Sequence, residues 1–251
     1  INAGAGDDVI DAAASLTTAD SMDGGSNNDT FISTVAITDA IAARISNFEI
    51  FDIKGGGGIT HDISNITGLT SLKASGALTG AVVITDLADT AEVDISTAIG
   101  NNLTINQINS AGGSDTITVD FSGGTYTTGG SIIAPNIETV TLKTSQSNNS
   151  TKTLSEGTFA GAGNITIEAT RGNLTILNLT AVNIDTLDLS SSNKNVSITT
   201  GADVFSQAFT FSGGSRNDTL DLDGATVAAG TVFVVGQDQD VLILNADAVS
   251  T

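Results

Sequence analysis

Short runs that alternate apolar with polar residues recur along the chain, each bounded by glycine, asparagine, aspartate or serine. In the last third they are NITIEA (164–169), NLTILN (173–178), DTLDLS (185–190), NVSITT (195–200), AFTFSG (208–213), DTLDLD (218–223), TVFVVG (231–236) and DVLILN (240–245). A period of two is the signature of a strand with one buried face. The first apolar positions of these runs are Ile165, Leu174, Leu187, Val196, Phe209, Leu220, Val232 and Leu242, separated by 9, 13, 9, 13, 11, 12 and 10 residues. Two steps together make about 22 residues. The same interval runs back through Ile10, Phe31, Ile53, Leu72, Val93, Ile117, Val140 and Ile165.

A unit of this length supplies two short strands and two turns, too little to bury its own apolar face, so neighbouring units must stack. The pattern predicts an all-β chain coiled as a right-handed parallel β-solenoid, β-roll-like, with ten or eleven rungs in one elongated region spanning 1–251. Rungs stacked at ~4.8 Å make a rod of roughly 50 Å. β-Sandwich domains are the alternative, because they also show strands every ~8–12 residues. The alternating step lengths, with a single proline and few aromatic residues to mark corners, favour the solenoid. Two segments depart from the pattern. AITDAIAARISNFEIF (36–51) has helical spacing for part of its length and reads as a short helix or an irregular excursion between rungs. SQSNNSTKTLSEGTFAGAG (145–163) lacks alternation and reads as a loop insertion.

Composition narrows the chemistry. The 28 acidic residues against 8 basic ones give a net charge of -20, which argues against a nucleic-acid partner and points to secretion, halophily or bound cations. With no Cys and one His, disulfides, thiolate sites and zinc clusters are excluded, so any metal must be held by oxygen. No apolar run is long enough for a membrane helix, and membrane insertion is not expected. The chain begins at Ile1 rather than Met and reads as a fragment of a longer protein.

One motif carries candidate chemistry. AGAGDDVID (3–11), GGSNNDTFI (24–32), SAGGSDTIT (110–118), GGSRNDTLD (213–221) and VGQDQDVLI (235–243) all fit GGxGxDxUx with substitutions, U being a large apolar residue. The pattern resembles the RTX nonapeptide family, the calcium-binding parallel β-rolls of proteins exported by type I secretion. That resemblance implies Ca2+ held by Gly4, Gly6 and Asp8; Gly24, Asn27 and Asp29; Gly113 and Asp115; Gly213 and Asp218; and Gly236, Asp238 and Asp240. Glycine lets the backbone bend with positive φ, Asn and Asp tolerate the same region, and Arg216 at the third glycine position does so poorly. In the family the ion lies between motifs one rung apart. Asp8 and Asp29 are 21 residues apart and Asp218 and Asp240 are 22 apart, both matching the strand repeat, whereas Asp115 has no partner motif at that distance.

Isolated motifs in a longer, Thr-rich repeat depart from tandem nonapeptide blocks and resemble bacterial surface-layer proteins and adhesins. Phrases such as NFEIFDIKG (47–55), NIETVTLKTS (136–145) and NIDTLDLSSS (183–192) are similar in style to those chains. The resemblance implies a structural, non-enzymatic, calcium-dependent surface-layer segment, secreted and self-assembling into a lattice or filament on the bacterial cell surface. Surface polysaccharide is a further possible partner. The alternatives are a secreted adhesin or glycan-binding stalk and, with less support, a polysaccharide-acting β-helix enzyme. That enzyme needs acids and bases clustered along one face, for which pairs such as Asp185 with Asp188, or Asp221 with Asp223, are candidates. His61 reads as a solvated loop residue, and threonine spacing is too irregular for an ordered binding face.

Overall fold

The computed structural model describes residues 1–13, 15–108, 112–145, 150–201, 205, 207–225 and 227–244. The chain is a parallel β-solenoid of about 10 turns with ~22-residue rungs and almost no helix. Among the described residues every strand pairing is parallel, which removes the sandwich alternative, since sandwiches are built from antiparallel sheets.

Two sheets face each other across a narrow core. The first stacks Val9–Asp11, Thr30–Ile32, Ile50–Lys54, Ser71–Gly76, Glu92–Ile95, Thr116–Phe121, Thr139–Thr144, Asn164–Ala169, Thr186–Asp188, Thr210–Ser212 and Val232–Val234. The second runs from Ile59–Asp62 through Val82–Leu87, Leu103–Gln107, Ser131–Ile133, Glu156–Thr158, Asn173–Thr180, Val196–Thr200 and Thr219–Asp221 to Val241–Ile243. Before Ile59 a different side closes the coil: Met22–Asp23 pairs with Ile45–Ser46, and single bridges join Asn2 to Asp23 and Ser46 to Thr67. The helical spacing at 36–51 resolves into one turn, Asp39–Ala42, with Ile41 and Ala42 buried.

Inward positions stack in columns, and the expected column holds at Ile10, Phe31, Leu72, Val93, Ile117, Val140, Ile165 and Leu187. Its connections differ at four steps. Phe31 and Leu72 both pair with Phe51 rather than Ile53, Val93 pairs with Val119 rather than Ile117, and Leu187 with Phe211 rather than Phe209. Each difference is two residues, which leaves the same face inward; Ile53 and Phe209 are buried as well, so burial alone does not discriminate between the registers.

The segment 145–163 is not simply a loop. Thr151–Leu154 and Glu156–Thr158 are strands of the second sheet, pairing with Tyr126–Thr127, Ser131–Ile133 and Asn173–Thr180, while residues 146–149 lie outside those described. The strand was hidden because its inward position is Lys152. That side chain is fully buried, its ammonium 5.7 Å from the centre of the Tyr126 ring and hydrogen-bonded to the Ser150 hydroxyl. Burial pushes the Lys152 amine down from its ordinary range.

His61 also differs from expectation. It lies on the inward face of Ile59–Asp62 with no exposed surface, its ring edge-on to Phe51 at 5.1 Å, and neither ring nitrogen has a hydrogen-bond partner. Burial pushes its imidazole down to about 4.

Rung length varies, and register converts irregular sequence spacing into order. Thr116, Thr139, Asn164, Thr186 and Thr210 form one outward column, and Thr118, Thr141, Thr166, Asp188 and Ser212 the next. Threonine suits the half-buried, pleated outer surface of a strand, which explains the columns without a ligand.

Candidate calcium site

The motifs at 3–11 and 24–32 lie on adjacent rungs and lead into first-sheet strands; those at 213–221 and 235–243 lead into second-sheet strands at the other end. Both pairs share the turn at the third glycine position. The third glycine position is left-handed in all four, at Gly6 (φ 119), Asn27 (φ 92), Arg216 (φ 97) and Asp238 (φ 74). Motif residues at the third position bridge between rungs, Ala5 to Ser26 and Ser215 to Gln237. At the fifth position the Asp7 carboxylate accepts the Asn28 N–H at 3.1 Å, and the Asn217 side-chain carbonyl accepts the Gln239 N–H at 3.3 Å.

The motif aspartates tie one rung to the next. Asp29 Oδ1 accepts the Asp8 N–H at 2.7 Å, and Asp240 Oδ1 accepts the Asp218 N–H at 2.9 Å. These are charge-assisted bonds, stronger than neutral ones. The close stacking also requires glycine. At Gly25, whose φ is +103, a Cβ would stand 2.0 Å from the Gly4 carbonyl oxygen, and at Gly236 one would stand 2.2 Å from that of Gly214. Gly24 and Gly213, at the first motif position, lie equally close to the carbonyls of Asn47 and Val235 on the next rung.

The ladder continues through residues outside the motif. Glu49 Oε2 accepts the Asp29 N–H at 2.8 Å, and Glu138 Oε2 accepts the Asp115 N–H at 2.8 Å. Asp115 therefore has a partner one rung on, a glutamate rather than a second motif. The signal for these acids is the asparagine two residues before: Asn47, Asn136 and Asn183 are all left-handed, with φ of 56, 58 and 65, and present Glu49, Glu138 and Asp185 at the same corner. Gly113 is exposed and has no left-handed φ, unlike the third glycine position of the other motifs; residues 109–111 lie outside those described.

What remains open to a cation separates the pairs. Asp29 is fully buried, yet its Oδ2 has no hydrogen-bond partner, and Asp8 Oδ2 is buried and unpartnered as well. Two carboxylates one rung apart, Asp29 fully buried and Asp8 half-buried, each with one buried and unpartnered oxygen, fit a hard oxygen-seeking cation. Asp115 Oδ2 is likewise unpartnered, but its partner on the next rung is Glu138 rather than a second motif aspartate, and Gly113 lacks the left-handed turn of the other motifs, so it does not form a matching pair. Asp218 does not fit: its Oδ1 accepts the Val196 N–H at 2.9 Å and its Oδ2 the Gly214 N–H at 3.0 Å. Burial pushes the Asp218 carboxyl above the usual carboxylate range, partly offset by those two amides. Among the described residues no three His, Cys, Asp or Glu side chains converge, so a cation at Asp8 and Asp29 would need backbone carbonyls or water to complete its shell.

Acids and bases do share one face elsewhere. Asp52, Lys73, Asp94, Asp120, Lys143 and Glu168 form an outward column of the first sheet. Most have structural partners: Asp52 accepts the Ser75 N–H and hydroxyl at 3.1 and 2.6 Å, Asp94 accepts the Ser122 hydroxyl, Asp120 accepts the Ser145 N–H and hydroxyl, and Lys143 reaches Glu92 at 2.8 Å. The column staples rungs together.

Fold and loops together define a parallel β-solenoid with a pair of glycine–aspartate loops at each end. No family model, curated protein or solved structure matches the chain.

Proposed function

We propose that the chain is a calcium-stabilised structural segment of an exported bacterial surface-layer protein. The observation that carries this reading is the pair of buried, unpartnered carboxylate oxygens of Asp8 and Asp29 on adjacent rungs. Asp8 and Asp29 would hold the ion, and a bound calcium would supply positive charge that offsets their mutual repulsion. The chain's own residues do the rest: Asp29 fixes the Asp8 amide, Glu49 fixes the Asp29 amide, and the glycines allow the rungs to approach.

A net charge of -20 favours the expanded chain where calcium is scarce. Ligands that bind only the folded form stabilise it by mass action, so calcium-rich surroundings favour the coil. The exposed polar flanks are then available for self-association. The test is thermal unfolding by circular dichroism with calcium and with EDTA: a higher Tm in calcium supports the reading, and an unchanged Tm removes it. A secreted adhesin or glycan-binding stalk is the second reading, favoured by the long polar faces. Electron microscopy in calcium separates them, ordered sheets indicating a lattice former and dispersed rods a stalk.

A further inference from the structure

We infer that the two loop pairs differ in kind: the Asp8–Asp29 pair takes calcium, whereas the Asp218–Asp240 pair is closed by its own backbone amides and takes none. Calcium then orders one end of the solenoid only. The inference rests on the calcium reading above and goes beyond it by assigning number, place and consequence.

The difference lies in one peptide. At the second motif position Gly4, Gly25 and Gly236 are left-handed, with φ of 105, 103 and 95, whereas Gly214 is not. In its own conformation Gly214 turns its N–H onto Asp218 Oδ2 at 3.0 Å. Asp29 has no such donor, and its Oδ2 stays unpartnered on a side chain with no exposed surface. A buried carboxylate oxygen without a donor is costly, and a cation is the ligand that relieves it. Asp218, with one amide on each oxygen and a second rung tie through its own N–H to Asp240, has a protein donor on both oxygens. Arg216, left-handed at φ 97, adds a positive charge to that loop and none is present in the other.

The two ends also differ in what else holds them. The C-terminal rungs are packed by Phe205 on Phe209 at 4.1 Å and by Phe233 against Phe209 and Phe211 at 5.7 and 6.4 Å. In the first rung Ile10, Ala12, Leu16 and Met22 surround an open cavity of about 470 Å³, Val9 is 65% exposed, and the second sheet has not yet begun. Local opening is easiest where little apolar surface is buried. Both terminal rungs expose apolar side chains, Val9 at one end and Val232, Val234 and Val241 at the other, and only the first is tied by the unpartnered carboxylates.

Equilibrium dialysis of the 251-residue chain counts ions, and hydrogen exchange with calcium or EDTA locates their effect. The expected result is one calcium per chain, with amide exchange in residues 2–30 slowed about 100-fold when free calcium is about 100 times Kd. Exchange in residues 213–243 should be indifferent to calcium. Asp29→Asn should abolish binding, and Asp218→Asn should leave it intact. Two ions per chain, or calcium-dependent protection at 213–243, overturns the inference while the calcium reading stands. A wild-type chain that binds no calcium overturns both.

Discussion

Acidification should strike this solenoid through its single histidine. His61 is fully buried with both ring nitrogens unpartnered, and its imidazole titrates at about 4 instead of 6.5. The native state therefore holds it neutral, while the unfolded chain binds a proton as pH falls below about 6.5. The stability linked to neutral His61 is fully present above that value, declines as pH falls from 6.5 towards about 4, and is lost below it. At about 1.36 kcal/mol per pH unit the gap amounts to about 3 kcal/mol in all, and about 2.5 kcal/mol of it is lost between about pH 7 and about pH 4.5. Two acids respond in the opposite direction: half-buried Asp94 and buried Asp218 have raised values, so their protonation favours the folded state as pH falls. Those contributions are shared with a variant that lacks the imidazole, and cancel in a comparison. His61→Leu removes the titration and the two unpartnered nitrogens while keeping an apolar side chain among Phe51 and Ile84. Urea unfolding followed by far-ultraviolet circular dichroism, for both chains at both pH values, measures the effect. Wild type should lose about 2.5 kcal/mol more than His61→Leu on acidification. Equal losses would refute the placement of a neutral imidazole in the core.

Two substitutions test the rung contacts. Gly25→Ala forces a side chain into the left-handed region and onto the Gly4 carbonyl, and should cost more than about 2 kcal/mol by urea unfolding; a loss within about 0.5 kcal/mol would contradict the observed stacking. Lys143→Met breaks the ion pair with Glu92, whose members are 26% and 40% exposed, and should cost less than about 1 kcal/mol, a difference that shrinks in high salt.

Much of the coil was legible because burial imposes a period of two and stacking imposes a period of one rung. The motif intervals of 21 and 22 residues place Asp8 beside Asp29 and Asp218 beside Asp240, as the hydrogen bonds between them confirm. Left-handed Asn27 and Asp238 follow from side chains that tolerate that region, and Arg216 occupies it without that advantage. The glutamates that extend the ladder were present in the repeated phrases around Asn47 and Asn136, but a glutamate without glycines around it carries no loop signature.

Sequence alone determined the all-β solenoid, its repeat and the paired motif aspartates that meet across rungs, because these depend on residue type and spacing along one chain. Tertiary structure decided the rest. A shift of two residues keeps the same face inward, so register waited on the neighbouring strand. Lys152, stacked between Tyr126 and Leu174, and His61, packed on Ile84 and Phe51, are polar residues held inward against their own preference for water. Whether an aspartate oxygen meets a protein donor turned on a single peptide at Gly214, whose orientation is invisible in motifs that both carry glycine at that position.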